Sequence, residues 1–143
     1  MLKNSWENNK LESTSYALII KGVKLNLDEI SACLNFSNAK MIHAGEIISK
    51  VVGACEKDIY IYKENYENVE NASDKLKLFL DTLIKKKQLL LELSLRFETS
   101  IRVFIQSSQA QMYFNFDSGV ISKLNELQIP VELSILSWGE VLD

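Results

Sequence analysis

The sequence predicts one α+β domain, a mainly antiparallel or mixed β-sheet with about three to four helices packed on it. Three patterns carry this reading. Residues 16–20 (Tyr-Ala-Leu-Ile-Ile) are a nearly continuous apolar run of strand length. A capped amphipathic helix follows at residues 26–35. The same succession returns near the C-terminus, where a helix from about Val120 leads into the alternating residues 131–136.

Residues 1–14 are polar and read as a flexible N-terminal extension with Trp6 as its large anchor, which leaves residues 15–143 as the domain. Gly22 ends the first strand. Asn26 is the N-cap of the first helix and Glu29 stands three residues on, a capping-box spacing. Ile30, Cys33 and Leu34 fall at i, i+3 and i+4 and define its buried stripe, and Asn35 closes it. Residues 40–51 read as extended, with a break at Gly45. Ile59 and Ile61 alternate with Tyr60 and Tyr62 in a further strand. Residues 63–72 are polar and read as a loop. Asn71 or Ser73 then caps the longest helix, whose apolar face is Leu76, Phe79, Leu80, Leu83 and Ile84. Residues 88–97 continue it or begin a second helix, apolar on several faces and therefore sandwiched.

In the last third, Ile101, Val103 and Ile105 alternate with Arg102, Phe104 and Gln106. Met112, Phe114 and Phe116 alternate in turn, so the two runs predict an antiparallel hairpin. Asp117 or Ser118 caps the next helix, buried through Val120, Ile121, Leu124 and Leu127, and Pro130 prevents its continuation.

Composition narrows the function classes. The chain has 143 residues, 47% hydrophobic and 24% charged, within the range of one globular domain. A chain of this size buries roughly 68–70% of its unfolded surface and needs no covalent staple. The formal charge of −3 disfavours a nucleic-acid partner. Cys33 and Cys55 are too few for a disulfide framework and read as two core thiols. No apolar segment approaches the ~20 residues that span a bilayer, and residues 1–14 lack a signal-peptide core, so no membrane contact is expected and the cytoplasm is the expected compartment.

The order of features resembles a bacterial family of domains of unknown function, numbered four-two-seven-nine in its series. The resemblance runs over about residues 15–137. It is carried by residues 16–22 (Tyr-Ala-Leu-Ile-Ile-Lys-Gly), residues 27–30 (Leu-Asp-Glu-Ile) with Leu34, the Gly45-Glu46 pair, and the aromatic strand 58–62, and it closes with the helix, turn and strand of residues 121–135. Tyr60 stands where members often carry tryptophan, and Ser37-Asn38-Ala39 where a proline is common. The resemblance implies an α+β fold and brings no catalytic residues. Some members are suspected immunity proteins, which implies a bacterial toxin, or another protein, as partner.

Sites of chemistry are few. His43 and Glu46 are the one histidine–carboxylate neighbourhood, and a catalytic or metal role would need a further ligand or base that the sequence does not place. There is no Gly-rich phosphate loop, paired-cysteine spacing or nucleophile elbow in the sequence. No catalytic residue, cofactor or metal is assigned. Residues 85–87 are three lysines in the last turn of a helix, where the macrodipole favours them. Tyr62, Glu64, Tyr66, Glu67, Glu70 and Asp74 form an acidic, aromatic tract suited to a basic partner protein, and they are the candidate partner-binding residues. The exposed sheet face, with Arg102, Gln106 and Glu132, is the next candidate. Two function classes stay open: a non-enzymatic binding module such as an immunity protein that neutralises a toxin, and a small-ligand-binding domain or small enzyme with its pocket on the sheet face.

Overall fold

A computed structural model describes residues 11–49, 53–109 and 111–140. Their elements run β1 (Leu11–Gly22), α1 (Leu27–Leu34), β2 (Lys40–Ile42), β3 (Ile47–Ser49), β4 (Gly53–Ala54), β5 (Asp58–Val69), α2 (Ala72–Ile84), α3 (Lys87–Arg96), β6 (Glu98–Gln109), α4 (Ser118–Leu127) and β7 (Val131–Glu140). Five strands form one sheet in the order β2-β5-β1-β6-β7, and β3 and β4 pair separately. β1 is antiparallel to both β5 and β6, while β7 runs parallel to β6 after the α4 crossover. The sheet is thus mixed and mostly antiparallel, with the helices on one face.

β1 is apolar on both faces because it lies at the centre. Tyr16, Leu18 and Ile20 point under the helices and are wholly buried. The register places Tyr62 and Ile101 beside Leu18, and Tyr60 and Thr99 beside Ile20. Against this face pack Leu76, Phe79, Leu80 and Leu83 of α2, with Leu90 of α3 and Val120 of α4. The rings of Phe36, Tyr62 and Phe79 stack with centroids 4.5 and 5.4 Å apart, and Tyr16 joins Phe79 at 6.1 Å. The Tyr16 hydroxyl donates to the Ala72 carbonyl at 2.7 Å, which ties the central strand to the start of α2. Gly22 is required at the end of β1, since a Cβ there would lie 2.7 Å from the Phe97 ring.

The caps follow the sequence closely. The Asn26 side chain accepts from the Glu29 N–H at 3.1 Å, and its amide donates to the Glu29 carboxylate at 3.1 Å, a side-chain variant of the box. Asp117 accepts from the Val120 N–H at 2.9 Å. Asn71 holds the N-cap position of α2 without a side-chain cap bond.

Several expectations are corrected. Residues 63–69 are strand, not loop: β5 continues to Val69 because β1 pairs along nearly its whole length. Residues 112–117 form no strand, because both edges of β6 are already taken by β1 and β7. Phe114 and Phe116 pack irregularly against the core, with ring centroids 4.9 Å apart. Cys33 is exposed, and Leu27, Ile30 and Leu34 form the buried stripe of α1. Cys55 is buried, as expected. Leu11–Thr14 belong to β1, with Leu11 in the core; residues 1–10 of the expected extension lie outside the described residues. Ile121 is 57% exposed and lies off the buried stripe of α4, which is Val120 and Leu127 with Leu124 partly buried.

Burial ranks two core substitutions. Leu80 is fully buried, whereas Leu124 is only partly so. Leu80→Ala is expected to cost ~2–5 kcal/mol through lost transfer energy and a cavity, and Leu124→Ala roughly 1–2 kcal/mol. Urea unfolding of both variants measures the difference, and equal losses would contradict this packing.

Candidate functional site

The face of the sheet opposite the helices carries a trough of about 600 Å³. Its construction follows from strand alternation, which sends every second residue to each face. From β1 it receives Ser13, Ser15, Ala17 and Ile19, all small except the last. The flanking strands supply longer side chains in register. Glu67, Ser13 and Gln106 form one row; Asn65, Ser15 and Phe104 the next; Lys63, Ala17 and Arg102 a third; Ile61, Ile19 and Ser100 a fourth. Small residues down the middle and long ones on both sides make a channel parallel to β1.

The chemistry of the channel is graded. Ile61, Ala17, Ile19 and Phe104 give it an apolar floor and wall. Lys63 and Glu67 are exposed on the β5 side. On the β6 side Arg102 donates to the Glu132 carboxylate of β7 at 3.1 Å, which fixes the guanidinium on the rim. The pair is nearly half exposed and is worth at most ~1 kcal/mol, so it orients Arg102 more than it stabilises the fold. The Ser13 hydroxyl donates to Gln106 across the floor.

The tract foreseen as a partner surface is divided by the same alternation. Tyr62 is 5% exposed and lies in the core between Phe36 and Phe79. Glu64 faces the same side and accepts from the Tyr62 hydroxyl at 2.9 Å. Asp74 sits in the first turn of α2, 3.6 Å from Lys77. Tyr66, Glu67 and Glu70 come together with Lys75 around a smaller hollow of about 270 Å³ at the end of β5. There Tyr66 packs on Tyr16 at 5.9 Å and lies 5.6 Å beneath the Lys75 ammonium. Tyr66 and Glu67 also line the trough, so the two hollows share a rim. Arg102, Gln106 and Glu132 do share the open face, as expected. Lys63, Asn65, Ser13, Ser15 and Phe104 were not foreseen, because the register of β5 and β6 on β1, and no single-strand pattern, brings them together.

His43 is exposed, and its backbone N–H donates to the Glu46 carboxylate at 3.1 Å, so this pair closes a turn. Gly45 holds φ +94° in that turn, a conformation L side chains rarely adopt. Lys87 of the basic run pairs with Glu126 at 3.1 Å. Among the described residues no cluster of His, Cys, Asp and Glu could hold a metal ion, and no described helix is long and apolar enough to cross a membrane.

The comparisons with known proteins give one match. The family model described as Domain of unknown function (DUF4279) covers residues 12–138. No curated protein and no solved structure matches the chain.

The buried tyrosines set an alkaline limit on the fold. Burial disfavours the phenolate and pushes Tyr16 and Tyr60 up to about 12 from 10.0. Tyr62 moves the same way, through burial first and then its bond to Glu64. The folded state therefore holds these protons more tightly than the unfolded chain. The stability they contribute is complete below pH 10 and declines as the pH rises from 10 towards 12. Phenolate absorbance and circular dichroism followed together are expected to change cooperatively above pH 10. Complete ionisation near pH 10 with the fold intact would contradict the burial of these rings.

Proposed function

The chain belongs to the DUF4279 family, and from that membership and the open sheet face we propose that it is a non-enzymatic protein-binding module of the immunity type, which occludes a toxin. The trough carries this reading. Its polar groups stand in successive rows along a channel of three strands, Lys63 and Glu67 on one side and Arg102 and Gln106 on the other. Binding sites for small molecules instead converge a few polar groups on one enclosed point. Phe104 supplies the kind of aromatic anchor that dominates protein contacts. Charges of both signs on the rim suit a partner with a mixed surface, and they act mainly on the rate of encounter. Tyr66, Glu67 and Glu70 extend the contact past the end of β5.

The partner to test is the product of a gene flanking that of this protein, where that product is toxin-like. The wild-type chain is expected to bind it and to restore growth when the two are expressed together. Phe104→Ala is expected to weaken binding at least tenfold, chiefly through faster dissociation. Lys63→Glu with Arg102→Glu should change the association rate and its salt dependence while leaving the melting temperature nearly unchanged. Failure of the wild type to bind or protect would overturn the immunity reading. Binding insensitive to all three trough substitutions would remove the open face from the contact.

A further inference from the structure

The sheet has two outer edges of opposite character. The outer edge of β5 carries Lys63, Asn65 and Glu67, all exposed. Charged side chains on an edge discourage pairing with another strand. β2 covers only the part of β5 from Ile59 to Ile61. The other edge is β7, and among the described residues no strand pairs with its outer side. There Val131, Leu133, Ile135 and Leu136 are 38%, 50%, 52% and 47% exposed. Its charge within residues 131–137 is Glu132, already engaged by Arg102 of the neighbouring strand.

The exposure of β7 is not that of an ordinary solvated face. Val131, Leu133 and Ile135 are register neighbours of Ile101, Val103 and Ile105, which are fully buried beneath the helices. The apolar row therefore points to the core side of the sheet, but burial stops one strand short of it. An apolar edge that no described strand pairs is a template for a further strand.

We propose that β7 pairs antiparallel with β7 of a second copy about a two-fold axis at Ser134, joining two five-stranded sheets into one. The sequence of the strand is complementary to itself in this register. Ser134 meets Ser134 of the second copy, Leu133 meets Ile135 on the core side, and Glu132 meets Leu136 on the open side. Leu133 and Ile135 thus make an apolar pair on each side of the axis, and no two like charges face each other over residues 131–137. A two-fold contact closes on itself, so the charged β5 edges stay outside and no fibre can grow. The four apolar side chains of each copy together expose about as much surface as two whole side chains. Were all the exposed surface of the seven-residue overlap covered in both copies, the contact would reach at most on the order of 1,000 Å², the lower limit for a specific interface. The dimer is accordingly a weak one, in exchange with the single copy. Its two-fold axis stands normal to the sheet, so both troughs lie on the same side of the assembly, with Ser134 between Phe104 and its counterpart.

Position 134 provides the test, because the axis makes it oppose itself. Ser134 is exposed, so a charge there is solvated in the single copy. Analytical ultracentrifugation of the wild-type chain is expected to show a monomer–dimer equilibrium across the micromolar range. Ser134→Lys and Ser134→Glu are each expected to weaken self-association at least tenfold, with circular dichroism and melting temperature close to wild type. Mixing the two variants in equal amounts should restore a dimer containing one of each. A wild-type chain that stays monomeric into the high micromolar range overturns the proposal and leaves the edge to another occupant, such as an extended peptide. A dimer unaffected by either charge, or variants that fail to recover on mixing, overturns the register at Ser134. The measurement uses no toxin, so its outcome is separate from that of the immunity reading.

Discussion

The fold depends on burying β1 on both faces and pairing it on both edges. Eleven residues of β1 are in register with β5 and nine with β6, so the strand's backbone groups are satisfied within the sheet. That position requires side chains that tolerate complete burial, which residues 16–20 supply. Tyr16 meets the constraint on the helix side with its ring against Phe79, and its hydroxyl finds the Ala72 carbonyl. One polar atom is thereby satisfied inside the core, and α2 is fixed over the strand by the same contact.

A second brace sits where β5 begins. The two oxygens of Asp58 accept from the Leu25 N–H at 3.0 Å and the Ala44 N–H at 2.8 Å. One carboxylate thus holds the turn before α1 and the turn before the β3–β4 hairpin against the end of β5. The hairpin adds its own backbone bonds, from Gly45 to Cys55 and from Cys55 to Glu46, both 2.7 Å. His43 and Glu46 belong to this turn, which accounts for their closeness in the sequence without any chemistry.

Legibility in the sequence followed how local the determining physics was. The α1 capping box, the apolar faces of α2 and the alternation in β6 are set by residues a few positions apart, and they were readable. The hairpin expected at residues 112–116 failed because its alternation was real but its partner edge was occupied by a strand from elsewhere in the chain. The acidic tract failed as a loop for the opposite reason. In residues 63–69 polar side chains fall on both faces, so no period shows, yet Glu64 is made acceptable near the core by the Tyr62 hydroxyl. The trough was half legible. Arg102, Gln106 and Glu132 could be placed on an open face from alternation alone, but Ser13, Ser15 and Lys63 required the strand order, which single-strand patterns do not encode.

The open face and the β7 edge are both uncovered, and they differ in what they ask of a partner. On the open face Ala17 and Ile19 are each only 5% exposed although no described helix lies over them. They sit low between longer neighbours, so the free face hides its own apolar floor and can wait in water without a partner. Its rows repeat at twice the rise of a strand, about 6.8 Å. An extended segment laid along β1 would present alternate side chains at the same interval, meeting in turn the Ile61–Ser100 row, then Lys63 with Arg102, then Asn65 with Phe104, then Glu67 with Gln106. A shift of two residues along the trough would set each side chain of such a segment against a row of different charge. A face that hides its apolar floor can stand uncovered in water, whereas the apolar row of β7 gains from any contact that covers it.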